Sequence, residues 1–154
     1  DFVRIYPLVV LAGSVLGAEY RAGRFKPLCL SECVKLSAAL YRIFRRNRIP
    51  VIRIGLQASN ELDAEGTILA GPYHPALGHI VLSRIMLEHA QEALDAAPNL
   101  PETVGIRVHP TAESRMRGIR NANLRELENK YPEVQRFLVR PDPVVDMESV
   151  MLDL

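Results

Sequence analysis

Two short runs constrain the fold more than any other feature, because their apolar residues are consecutive rather than alternating. Phe2-Val3-Arg4-Ile5-Tyr6-Pro7-Leu8-Val9-Val10-Leu11 and Val51-Ile52-Arg53-Ile54-Gly55-Leu56 are rich in Val, Ile and Leu. Such runs suit strands buried on both faces, as in parallel α/β sheets, where helices cover the sheet. Helical patterns lie between and after them. A segment with Leu16 and Tyr20 ends at Gly23, and a second helix is expected from a cap at Ser31, with Cys33, Leu36, Leu40, Ile43 and Phe44 as its core stripe. Pro50 stops that helix after Arg42, Arg45, Arg46 and Arg48, which suit the carbonyl pole of a helix or, alternatively, phosphate contact.

Arg53 lies inside the second run. A guanidinium there is expensive to bury unless it pairs with a carboxylate such as Glu61 or Asp63, or meets a ligand at the strand end. Asn60 to Gly66 is a polar surface loop, and Thr67 to Ala70 returns as a short strand. The stretch Gly71-Pro72-Tyr73-His74-Pro75 then makes a stiff connection before a helical pattern with Leu82, Ile85, Met86, His89, Ala93 and Leu94 on one stripe. His89 on that stripe reads as a satisfied core residue. His74 and His79 could approach each other at the head of the helix, where the dipole favours a neutral imidazole able to hydrogen bond.

Beyond the linker Pro98-Asn99-Leu100-Pro101, a smaller β-α-β subdomain is expected over residues 101–154: strand Val104 to His109, a helical region from about Glu113 to Lys130, and strand Val134 to Val139. No role is readable for Met147 to Leu154. Within the helical region, Arg115-Met116-Arg117-Gly118-Ile119-Arg120-Asn121 places three arginines around one glycine. Asn121, which tolerates left-handed dihedrals, stands where a KH-type nucleic-acid loop carries its second glycine. The plainer expectation is a continuous or slightly broken helix with a wet arginine face and Met116, Ile119, Leu127 and Tyr131 inward.

Several chemistries are excluded. There is no glycine-rich phosphate loop, no Gly-x-Ser-x-Gly elbow and no His-Glu-x-x-His pair. Cys29 and Cys33 lack the third cysteine of a site-differentiated iron–sulfur motif, since Leu36 occupies its position, so they are assigned to a surface loop and to core packing. Two cysteines make no disulfide framework, and a reducing, cytoplasmic setting is expected. The opening apolar run is too short to span a bilayer, so no membrane partner is expected. A formal net charge of +1 means that any nucleic-acid surface must be a local patch.

The blocks Arg4-Ile5-Tyr6-Pro7-Leu8-Val9-Val10, Ala12-Gly13-Ser14, Tyr20-Arg21-Ala22-Gly23-Arg24-Phe25-Lys26-Pro27-Leu28, Val51 to Gln57 and Ala70 to Pro75, in this order, resemble the C-terminal region of bacterial radical SAM proteins. These proteins are related to the Elongator catalytic subunit and are often labelled oxygen-independent coproporphyrinogen III oxidase-like. The resemblance implies an α/β fold: the terminal strand of a partial (β/α) barrel followed by an α+β C-terminal extension, with residues 1–100 forming the barrel end and extension. It implies a [4Fe-4S] cluster and S-adenosylmethionine in the full-length protein, bound outside this chain, and the N-terminal radical SAM barrel of the same protein as partner. In the Elongator relatives the substrate is the wobble uridine of tRNA, so a tRNA-modification role follows as an expectation. The chain reads as a fragment, inactive alone, that completes a substrate site. No catalytic residue or metal ligand is assigned in it. Arg53, Tyr73 and His74 are the expected substrate-binding groups, and Arg117 and Arg120 the expected RNA contacts. The alternative is a non-catalytic RNA-binding or lid module.

Overall fold

The computed structural model describes all residues from Asp1 to Leu154. The first apolar run becomes two strands, β1 (Val3–Ile5) and β2 (Val10–Leu11), because Pro7 between them has no amide to give to a ladder. β1 pairs in parallel with β3 (Val51–Ile54), and β2 pairs antiparallel with β4 (Ile68–Ala70). One run therefore feeds two separate two-stranded sheets. The expectation of strands buried on both faces fails: Arg4, Ile52 and Arg53 are exposed, and since successive strand residues point to opposite faces, the β1–β3 pair is partly open on both.

Helices α1 (Val15–Arg21) and α2 (Leu30–Arg46) connect β2 to β3. The hydroxyl of Ser14 accepts from the amide of Gly17 and starts α1. At the head of α2 the cap is not Ser31, which lies in the first turn, but the reciprocal pair Cys29 and Glu32. Glu32 accepts from the Cys29 amide at 2.8 Å, and that bond draws its carboxyl below the ordinary range. The core stripe is also rotated from the expected one. α2 buries Cys33, Val34, Ser37, Ala38 and Tyr41, while Leu36 and Ile43 remain 51% and 52% exposed. The helix is apolar on two faces, and the smaller residues let it pack closely on its own sheet. Periodicity alone favours the larger side chains.

The chain divides into two compact units, Asp1–Val81 and Leu82–Leu154, with the boundary inside α4 (Leu77–Asp95). In the second unit the central strand β5 (Thr103–Val108) runs parallel to β6 (Arg136–Pro141), in unbroken register from Thr103 opposite Arg136 to Val108 opposite Pro141. The tail supplies β7 (Met151–Asp153), antiparallel on the other edge of β5. Val104, Ile106 and Val108 are fully buried, together with Leu94, Met116 and Leu127, and each contributes about 1.5–3 kcal/mol by leaving water. Arg107 on β5 lies 2.9 Å from both Asp142 and Asp153, tying the ends of β6 and β7 to the centre. The expected helical region is two helices, α5 (Glu113–Arg117) and α6 (Ala122–Lys130), separated by a left-handed turn. The unit is thus α-β-α-α-β-β, opening with the larger part of α4.

Candidate functional site

In the first unit the site begins with a glycine. Gly71 has φ +111°, and a Cβ there would stand 3.0 Å from both the Leu8 carbonyl oxygen and the Val9 Cα, so only glycine lets this loop lie against the Leu8–Val9 backbone. Pro72 is buried beside it, and the Tyr73 amide donates to the Gly71 carbonyl at 2.9 Å. Pro7, Val9 and Leu56 then face Pro72, Tyr73, His74 and Leu77 across a shallow surface cleft.

The two polar side chains of the cleft are held by different means. Tyr73 donates its hydroxyl proton to Asp63 at 2.6 Å, and that bond pushes the phenol above its ordinary value. Asp63 ends a short helix, α3 (Asn60–Asp63), that Ser59 caps through the Leu62 amide. His74 accepts from the Ala76 amide at Nδ1, 3.0 Å away, so the hydrogen-bond network assigns the ring proton to Nε2. The Leu77 amide donates to the His74 carbonyl, starting α4. The cleft therefore presents a phenol committed to a carboxylate and an imidazole with an N–H to donate. No hydrogen bond joins His74 to His79, which sits half-buried on the first turn of α4.

Arg53 is not in this cleft. It is exposed on β3 and donates to Gln57 at 2.8 Å, so neither Glu61 nor Asp63 is its partner. Its ladder neighbour is Arg4, whose guanidinium lies 5.4 Å above the Phe2 ring. Two cations stand side by side on one ladder without a carboxylate on either, an arrangement that repels until an anion approaches. Tyr73 and His74 are brought together, and Arg53 forms a second, basic locus with Arg4.

The residues present do not fit an iron–sulfur cluster. Cys29 is exposed beside Ser31, and Cys33 is buried against Ser37 with its thiol pushed up by burial. No group of three His, Cys, Asp or Glu side chains is placed to hold a metal ion. No helix is long and apolar enough to cross a membrane.

In the second unit, Arg117 donates through Nε and Nη2 to Glu113, at 3.1 and 3.0 Å, while Arg120 is exposed. Of a continuous and a slightly broken helix, the dihedrals give the broken one: Gly118 has φ 70° and ψ 172°, Arg120 φ 52°, and Asn121 φ 60°. Met116, Leu127 and Tyr131 point inward as expected, but Ile119 is exposed at the break. Asn123, which sequence reasoning passed over, organises the turn. It is 7% exposed and donates to the Ser83 carbonyl at 2.9 Å and the Arg115 carbonyl at 3.1 Å. An asparagine two residues past a left-handed candidate was the available signal. His89 is satisfied, bonding the Glu148 carbonyl oxygen through Nδ1 at 2.8 Å.

A family model described as the Radical_SAM C-terminal domain matches residues 1–87. No curated protein and no solved structure matches the chain.

Proposed function

Because the chain belongs to the radical SAM C-terminal domain family, we propose that its first unit completes the substrate site of a full-length, cytoplasmic radical SAM enzyme acting on tRNA, in the manner of the Elongator-related proteins. The family implies a [4Fe-4S] cluster and S-adenosylmethionine in the full-length protein, and an N-terminal radical SAM domain as the partner of this region. The cysteines here supply no ligand set for the cluster, so no chemical step is assigned to them. In this reading β1 is the terminal strand of a partial (β/α) barrel, and residues up to about 100 form the extension that covers the barrel.

The observation that carries the reading is the uncovered β1–β3 pair. β1 pairs only with β3, in parallel, so its other edge is free to join the parallel strands of a preceding barrel as their terminal strand. Phe2, Leu8 and Ile52, with Leu36 and Ile43 on α2, are each more than half exposed, and a preceding barrel is an apolar partner suited to them. Arg53 then offers charge complementarity to an anionic substrate, and Tyr73 and His74 orient it through hydrogen bonds. Arg117 and Arg120 are the proposed RNA contacts of the second unit. The test uses the full-length protein with its cluster in place. Arg53→Ala and His74→Ala are expected to lower substrate turnover by about tenfold or more while cluster content is unchanged, because displaced substrate groups forfeit orientation. Unchanged turnover in both variants, or cleavage of S-adenosylmethionine by residues 1–154 alone, would overturn the reading.

A further inference from the structure

The helix break at Gly118 to Asn121 lies outside the residues that the family model matches. No proline interrupts residues 113–130, and apart from Gly118 every residue from Ser114 to Leu127 is compatible with a helix. The chain nevertheless holds two consecutive non-glycine residues, Arg120 and Asn121, in the left-handed region, at a cost of about 1–2 kcal/mol each. Gly118 occupies a region of φ and ψ open essentially to glycine alone. Tertiary contacts hold the break in place: the buried Asn123 reaches both the Arg115 and Ser83 carbonyls, and the Arg125 guanidinium donates to the Arg120 carbonyl. β5 and β6, paired in parallel over six residues each, anchor the two helices on either side.

What this fixed turn offers is a set of donors and cations. The amides of Ile119 and Arg120 make no backbone hydrogen bond, and successive free amides beside left-handed residues form a concavity that binds anions. Between Arg115 and Arg125 the chain carries four arginines and no acidic residue. Only Arg117 is committed to a carboxylate, that of Glu113. The exposed Ile119 adds an apolar surface on which a sugar or base can rest. The rest of the unit is different in charge. Leu82 to Leu154 holds nine Lys and Arg against twelve Asp and Glu, a formal −3. A broad basic face able to follow a duplex is therefore missing, and a short local clamp is what remains.

We infer that the Gly118–Asn121 turn, with Arg120 and the amides of Ile119 and Arg120, clamps the backbone of a single-stranded RNA segment of about four nucleotides, the length that a Gly-x-x-Gly loop of KH type holds. Asn121 takes the left-handed conformation that the second glycine takes in such a loop. Recognition is of phosphate and strand form, not of sequence. Asn123 acts as a positioning residue that keeps the turn open. The inference rests on the tRNA reading above and narrows it, assigning the RNA contact to an unpaired segment and to this turn.

The experiment measures fluorescence anisotropy of a labelled oligouridylate of about twelve nucleotides, long enough to span the clamp, with residues 1–154 and, in parallel, of labelled tRNA. Wild-type binding is expected to weaken as salt rises, with a logarithmic slope of about −0.7 per phosphate contacted. Arg120→Asp, which reverses the charge with a residue that tolerates left-handed dihedrals, should weaken binding by about tenfold or more. It should leave the circular dichroism spectrum unchanged. Asn121→Gly should bind at least as well as wild type, because glycine adopts the same dihedrals without strain. Arg46→Asp, in the basic end of α2, serves as the comparison and should weaken binding far less than Arg120→Asp, through slower association alone. Should Arg120→Asp unfold the chain, Ile119→Asp at the exposed tip provides the same readout. If the oligouridylate binds equally to wild type and Arg120→Asp, or if Arg46→Asp abolishes binding instead, the turn is not the site, while tRNA binding keeps the broader reading alive. If a duplex of the same length competes better than the single strand, the strand form is wrong. If neither oligonucleotide nor tRNA binds, the RNA reading falls with the inference.

Discussion

Replacing Gly118 with alanine tests how firmly the turn is built. The new Cβ would stand 2.9 Å from the Asn123 Oδ1, closer than such atoms approach, and a tight 3.1 Å from the Asn123 backbone nitrogen. Two penalties follow. Holding an alanine at φ 70° and ψ 172° costs about 1–3 kcal/mol of backbone strain. Displacing the buried Asn123 side chain threatens its two hydrogen bonds, at about 0.5–1.5 kcal/mol each. The expected loss is therefore about 2–6 kcal/mol, a large share of the roughly 5–15 kcal/mol that typically separates folded from unfolded states. Because the chain has two compact units, native-state hydrogen exchange at the β5 amides, which reports on the second unit, is the suitable assay. The Asn123→Ala background separates the two penalties. There the Oδ1 contact is gone, and Gly118→Ala should cost less than in wild type by the share due to the clash. A loss below about 1 kcal/mol in the wild-type background, less than left-handed strain alone requires, would refute the account of the turn.

Three further outcomes are expected. The carboxyl of Asp95 is held low by the Tyr131 hydroxyl and Lys130, and that of Asp142 by the Val144 amide and then Arg107. A carboxyl lowered on folding confers stability that is complete above the unfolded value, ordinarily 3.8, and lost as pH falls through the folded value, so the urea midpoint should drop below that pH and drop less steeply in Asp95→Asn. Leu36→Lys and Ile43→Lys, on the outward face of α2, should change the stability of residues 1–154 by less than about 0.5 kcal/mol. In the full-length protein they should lower the thermal midpoint, and equal effects in both would remove the proposed docking face. The phenol of Tyr73 is raised by its bond to Asp63, so Asp63→Asn should move one tyrosine toward its ordinary titration value in a spectrophotometric titration. A curve identical to wild type would show that the bond does not hold in solution.

Short-range chemistry accounts for what the chain makes legible. Gly23 ends α1 with φ +71°, Pro50 separates α2 from β3, and the strands β3, β4 and β5 fall where Val and Ile cluster. What eluded sequence reasoning depends on contacts made at a distance. The core face of α2 follows from which side chains are small enough to approach the sheet. β7 is a strand only because β5 has an unpaired edge for it, and Met151-Leu152-Asp153 alone carries too few residues for a pattern. The expectation that β1 and β3 are buried on both faces came from their composition. Under the proposed reading that composition is apt, and the cover lies on the barrel.

The candidate site divides in the same way. Tyr73 and His74 are neighbours in sequence, so their common cleft was legible, whereas the separation of Arg53 from it and its pairing with Arg4 required the register of a parallel ladder. The net charge of +1 was the most misleading number. Asp1 to Val81 holds ten Lys and Arg against six Asp and Glu, a formal +4, which the acidic second unit conceals. That partition bears on how an RNA would be held. A basic first unit can attract a polyanion over a distance of about a Debye length, roughly 8–10 Å at ordinary ionic strength. The second unit is net negative and repels it except where the turn exposes amides and arginines. Under the proposed RNA reading, long-range attraction and local grip would fall to different units. Neutralising exposed arginines of α2, such as Arg46, should then slow association with tRNA while leaving dissociation unchanged, whereas Arg120→Asp should speed dissociation. Stopped-flow measurement of both rates distinguishes them, and a change confined to one rate in both variants would refute this division of labour.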